Sequence, residues 1–168
     1  VGERYPVMIK LNCADFLEGG YTLEEGCKVS KALADAGIDA IEISGGVVGG
    51  GKGTLPVDNV PIRAKIKIPD DEAYFLKESD EIREHIDTPM MLVGGMRTPA
   101  LMERLLREEK GEFISLCRPL IMERDLVNKI RAGQKDPAGC VSCNLCLTRR
   151  TESVQCHYLK EKKKKEGK

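Results

Sequence analysis

The sequence predicts an α/β fold made of parallel βα units. Short, mainly apolar runs of strand length recur around residues 7–11, 39–44, 90–94 and 113–117. Stretches with apolar residues at helical spacing follow them. Apolar strands alternating with helices imply a parallel sheet covered by helices.

The first strand is expected over residues 7–11, with Lys10 at its carboxyl end. Such a lysine reads either as a snorkelling surface residue or as a site cation. Residues 12–20 form a loop with Asp15, Gly19 and Gly20. Thr22 and Glu25 have the spacing of a capping box. Leu23, Cys27, Ser30 and Ala34 fall on one face of the next helix, and Gly37 stops it.

The second strand covers 39–44. A long loop from Gly45 to about Pro69 leaves its carboxyl end, the side where ligands sit in such folds. A loop of that length in a compact domain is usually functional or disordered. Within it, residues 46–52 match the G-x4-G-K of a P-loop. Gly53 then stands where Ser or Thr should bind magnesium, and Pro56 blocks a following helix, so the P-loop reading fails.

Asp70 and Asp71 are expected to open the next helix at its positive end. Phe75, Ser79, Ile82 and Ile86 mark its buried face, and Thr88–Pro89 its end. After the third strand, Thr98 is the expected cap and Pro99 the first position of a helix. Leu101, Met102, Leu105 and Leu106 form its stripe, and Gly111 its stop. The fourth strand runs into Cys117, Arg118 and Pro119. Leu126 and Ile130 support a last short helix closing near Gly133.

Two strand ends thus deliver Gly94, Gly95, Arg97 and Arg118 together. Glycines let backbone N–H groups approach an anion, and arginine grips phosphate in a bidentate fashion. Singly these residues read as a tight turn and surface arginines. After consecutive strands of a βα chain they read as a phosphate site.

Charges balance at 27 basic and 27 acidic residues, and Trp is absent. Neither a bulk field nor a stacking surface for nucleic acid is expected. No apolar run reaches membrane-spanning length and no signal peptide is visible, so a cytoplasmic protein without a membrane partner is expected. The chain opens at Val1 almost directly on a strand, as if partway through a larger protein. His85 near a helix end and His157 in the Cys-rich tail have no base or nucleophile partner in the pattern. They are expected to be structural or exposed, with no Ser-His-Asp arrangement.

A Pro/Gly linker at 134–139 separates a unit of residues 1–134 from a Cys-rich segment at 135–168. Cys140, Cys143 and Cys146 have C-x2-C-x2-C spacing, with Cys156 as a fourth candidate ligand. An iron–sulfur cluster, a zinc site and no metal at all are the open readings. Cys27 reads as a small core residue. Cys13 and Cys117 sit at strand ends, where packing is the simpler reading. Residues 160–168 read as a frayed, solvated tail.

The motifs together resemble the C-terminal half of an old yellow enzyme type NADH:flavin oxidoreductase, and are most similar to the 2,4-dienoyl-CoA reductase branch. The resemblance rests on residues 5–12 (YPVMIKLN), Asp15–Phe16 with Gly19–Gly20, 37–46 (GIDAIEISGG), 93–99 (VGGMRTP), 118–121 (RPLI) and 140–146 (CVSCNLC). It implies strands five to eight of an FMN-binding TIM (β/α)8 barrel. It implies hydride transfer from NAD(P)H through FMN to an electron-poor C=C bond. By the same resemblance Lys10 stands beside the flavin N1/O2 edge. Gly94, Gly95 and Arg118 grip the phosphate with Arg97 close by, and Ser44 and Gly45 lie near substrate or flavin. Cys117 stands where the family usually has glycine, at the phosphate's backbone contact. The four-cysteine set implies a [4Fe-4S] cluster, although the branch has one more residue before the third cysteine. The family's substrate-anchoring His/Asn or His/His pair and proton-donating Tyr are expected upstream, so no catalytic residue is assigned in this half. The chain is then expected to be inactive alone, needing the missing half or self-associating through open sheet edges. A non-catalytic half barrel holding a phosphate ligand, or an iron–sulfur electron-transfer module, is the alternative.

Overall fold

The computed structural model describes residues 2, 4–47, 60–148 and 154–167. Four strands form one all-parallel sheet in sequential order: β1 (Met8–Asn12), β2 (Ala40–Ser44), β3 (Met90–Leu92) and β4 (Phe113–Ile114). Helices lie between them: α1 (Leu23–Asp35), α2 (Leu76–Arg83) and α3 (Pro99–Arg107). Beyond β4 come α4 (Arg118–Met122), α5 (Leu126–Arg131), α6 (Leu145–Thr148) and α7 (His157–Lys165). No helix among the described residues is long and apolar enough to cross a membrane. The P-loop-like residues of the loop after β2 fall mostly outside the described residues.

Helix α1 forms as its local signals require. Glu25 N–H donates to Thr22 Oγ1 at 3.2 Å, and Thr22 N–H donates to Glu25 Oε2 at 2.8 Å. Cys27 and Ser30 are buried beneath it, Leu23 and Ala34 pack against the same core, and Gly37 turns the chain away at φ +87°. Ile41, Ile43, Ile82 and Met90 are fully buried there. Burying each such side chain contributes about 1.5–3 kcal/mol. A second core gathers Leu92, Met96, Leu101, Met102 and Leu105 under α3. Leu106, expected on that stripe, is exposed.

Several elements differ from expectation, each for a long-range reason. Asp70 and Asp71 belong to a single 3-10 turn (Pro69–Asp71), and the α-helix begins only at Leu76. Between them Ala73 is left-handed at φ +52° and Glu72 is buried. The Glu72 carboxylate accepts Arg97 N–H at 2.6 Å, Thr98 N–H at 2.9 Å and the Thr98 hydroxyl at 2.7 Å. Thr98 therefore does not cap α3 with its own side chain. A carboxylate from a distant turn takes that place, a favourable charge at a helix N-terminus. Gly111 does not stop α3, which ends at Arg107. A Cβ there would lie 2.7 Å from Leu92 Cγ, so glycine lets the chain pass over β3. The basic tail is a helix, α7, anchored by buried His157 and presenting its lysines to solvent.

The helices cover one face of the sheet. The other carries a row in register across all four strands: Lys10, Glu42, Met91 and Phe113. Phe113 is 53% exposed, and Met8, also on this face, is 58% exposed.

Candidate functional site

The carboxyl ends of the strands open onto a cavity of about 350 Å³. Lys10, Ser44, Gly94, Gly95, Cys117 and Arg118 all line it. Six residues chosen from sequence are thus brought to one place. Strand ends do this because a parallel sheet delivers every carboxyl terminus to the same side.

Lys10 enters from β1. Its ammonium pairs with the Glu42 carboxylate, its register partner on β2. Ser115 donates to the other Glu42 oxygen at 2.7 Å. Glu42 therefore links β1 to the segment after β4.

Beyond β3, Gly94 and Gly95 turn with φ of +127° and +73°. A Cβ on Gly94 would lie 3.0 Å from Tyr74 N, and one on Gly95 3.1 Å from Ile66 Cγ1 and Tyr74 Cε1. Only glycine accepts both the backbone angle and the overlying ring. Tyr74 is held in place as its hydroxyl donates to Pro61 O at 3.3 Å and Arg63 stacks on its ring at 4.8 Å. Burial pushes the Tyr74 phenol up, with Arg118 opposing, so it stays neutral.

Arg118 is 8% exposed, at the start of α4. Its Nη1 donates to Arg63 O at 2.7 Å and to Asn144 Oδ1. Cys117 is exposed and reaches the rim of the cavity.

Two expected members of the site are placed elsewhere. Gly45 packs beneath Phe16, where a Cβ would meet Phe16 Cε2 at 2.6 Å. Arg97 turns toward the backbone, its Nη1 donating to Ile66 O and its Nε to Ala138 O at 3.4 Å. It pins two loops in place and does not line the cavity.

The cysteine segment also departs from expectation. Cys140, Cys143, Cys146 and Cys156 border one small pocket with Arg118 and His157. Yet no group of three or more His, Cys, Asp or Glu among the described residues is placed to hold a metal ion. Ser142 and Asn144 are left-handed, at φ +50° and +61°. Cys140 is buried while Cys143 is exposed. Burial pushes the Cys146 thiol up. The residues as placed do not fit a cluster. Cys13 and Cys27 are core packing residues.

Four contributors were not singled out from sequence. Glu42 had a signal, being the one charge in an apolar strand. Ser115, Tyr74 and Asn144 act through contacts distant in sequence and carried none.

No family model matches the chain. It is 30% identical over 146 residues to an NADH oxidase of Thermoanaerobacter brockii, covering 86% of this chain and 21% of the relative. It is 34% identical over 97 residues to an NADH-dependent flavin oxidoreductase of Talaromyces variabilis, covering 55% of this chain and 22% of that one. A solved 2-naphthoyl-CoA reductase in complex with 2-naphthoyl-CoA superposes with a TM-score of 0.69 at 28% identity, covering 85% of this chain and 20% of that one. The chain spans about a fifth of the length of these relatives. The likeness to old yellow enzyme type NADH:flavin oxidoreductases read from the motifs therefore stands over most of the chain.

Proposed function

We propose that this chain is the FMN-binding C-terminal half of an NAD(P)H-dependent flavin oxidoreductase barrel, residues 1–134 supplying strands five to eight. The carrying observation is the cavity that joins Lys10 at one strand end to Gly94, Gly95 and Arg118 at two others. Its chemistry fits a flavin mononucleotide. Gly94 and Gly95 line the cavity at the turn after β3, and Arg118 offers a phosphate a buried cation beside them. Lys10 supplies positive charge to the flavin's N1/O2 edge, with Ser44 lining the same space. Bound FMN supplies the hydride relay between NAD(P)H and an electron-poor C=C bond. The protein binds, orients and tunes it.

The uncovered row of Lys10, Glu42, Met91 and Phe113 supports a further part of this reading. This face and the two strand edges are covered by the remaining βα units of a barrel or by a second copy. Size measurement is expected to show association, and a compact monomer would count against that part.

FMN and riboflavin titrations, followed by flavin fluorescence, test the cofactor reading. FMN is expected to bind at least about tenfold more tightly, and Arg118→Ala to abolish the difference, as loss of a charge-assisted contact implies. Equal affinity for the two flavins sinks the phosphate grip. The competing reading is a half barrel that holds a phosphate ligand without catalysis, drawn from that same uncovered face. NAD(P)H oxidation by the FMN-loaded chain would exclude it.

A further inference from the structure

We propose that Asn144 is a positioning residue that fixes the Arg118 guanidinium, tying the cysteine segment to the anion end of the strand-end cavity. The nature of the anion rests on the cofactor reading above, whereas the contact does not.

Arg118 borders both the strand-end cavity and the cysteine pocket. A long side chain at such a boundary must be held if it is to offer a fixed fork to a ligand. Two acceptors share its Nη1, the Arg63 carbonyl and Asn144 Oδ1. Asn144 Oδ1 is the side-chain member of this pair, and it comes from between Cys143 and Cys146.

The other end of the amide is engaged as well. Asn144 Nδ2 donates to Ile62 O at 3.1 Å. Flipping the amide would set its NH2 against the guanidinium and its oxygen against a carbonyl, so both neighbours fix one orientation. Asparagine also tolerates the left-handed φ of +61° better than most residues. Beside it, Lys65 N–H donates to Ser142 O at 3.1 Å. The cysteine segment is thus clamped to residues 62–65, the same stretch whose Arg63 carbonyl holds Arg118. Displacing Cys143 or Cys146 moves Asn144, and with it the arginine.

The test follows the Arg118 side-chain Nε–H signal by ¹⁵N NMR in the full chain, assigned by its loss in Arg118→Lys. Inorganic phosphate is the probe. The unaltered chain is expected to give a sharp signal that shifts with phosphate. Asn144→Gly suits the backbone angle but removes the acceptor. It is expected to broaden the signal and weaken phosphate binding about tenfold, the usual scale for a hydrogen bond to a charged group. Asn144→Asp keeps the acceptor for Arg118 but sets its second oxygen against the Ile62 carbonyl, so it is expected to give a signal sharper than that of Asn144→Gly without the full sharpness of the unaltered chain. A signal equally sharp in Asn144→Gly and the unaltered chain overturns the proposal, as does a signal no sharper in Asn144→Asp than in Asn144→Gly. A signal that broadens in Asn144→Gly but ignores phosphate in the unaltered chain supports the positioning role and retires the anion reading.

Discussion

Lys10 and Glu42 face each other at paired positions of β1 and β2, where their charges pair, and Lys10 also lines the strand-end cavity. On the proposed FMN reading, the pair sets the local field beside the flavin ring. In the FMN-loaded chain, Lys10→Ala is expected to lower the two-electron midpoint potential, because reduced anionic flavin loses its nearby cation. Glu42→Gln is expected to raise it, because the lysine then acts unopposed. A shift of about 1–2 kcal/mol, roughly 20–40 mV for two electrons, is the scale for partly exposed charges. Spectroelectrochemistry reads both signs. Shifts of the same sign would defeat the assignment.

Glu72 is expected to matter for stability beyond its size. Its carboxylate accepts three bonds from Arg97 and Thr98 at the start of α3. Glu72→Ala leaves those donors without their acceptor. A loss of about 2–3 kcal/mol is expected in urea unfolding, against a smaller loss for Glu72→Gln, which keeps one oxygen. Equal losses for the two would mean that packing, not the carboxylate, carries the effect.

What was legible in the sequence follows this same division between local and distant causes. The α1 cap, with both partners three residues apart, was readable, and so were the four strands, whose apolar runs need only their own burial. The strand ends of Lys10, Gly94, Gly95 and Arg118 were readable because parallel topology alone brings them to one side. The entry to α2 was not. Asp70 and Asp71 look like a helix start, but Glu72 is claimed by α3 and the chain must turn at Ala73 before a helix can run. Arg97 sits in an anion-site motif, yet Ile66 O and Ala138 O lie within its reach and take it. The cysteine spacing suggested a metal-holding group, whereas no such group forms among the described residues, where Ser142 and Asn144 turn left-handed between the cysteines. Spacing encodes which sulfurs can meet, not which way the intervening backbone turns.

Gly26 offers a case where helix propensity misleads. In an exposed helix, glycine to alanine gains about 1 kcal/mol. Here a Cβ would lie 2.2 Å from Cys13 O, where α1 presses on the loop after β1. Overpacking of about 3 kcal/mol outweighs that gain. Gly26→Ala is therefore expected to destabilise by roughly 2 kcal/mol in urea unfolding, by the difference of those terms. A stabilised variant would show that α1 can shift outward at little cost.

Cys13 makes stability fall at alkaline pH. Burial, followed by the nearby Glu78 charge, pushes its thiol from about 9 up to about 12. The folded state thus holds the proton after the unfolded chain has released it. The stabilisation is complete below about pH 9 and is lost as pH rises from there to about 12. One proton corresponds to about 1.4 kcal/mol per pH unit within that window. Urea unfolding of the unaltered chain and of Cys13→Ala across pH 8–11 isolates this contribution from Tyr21, Cys27 and Tyr74, which burial also pushes up. The variant is expected to lose stability less steeply above pH 9. In the folded protein, exposed Cys117 and Cys143 should alkylate with iodoacetamide well before Cys13, whose thiolate is disfavoured by its burial. Parallel pH slopes in the two proteins, or early labelling of Cys13, would place that thiol in contact with solvent.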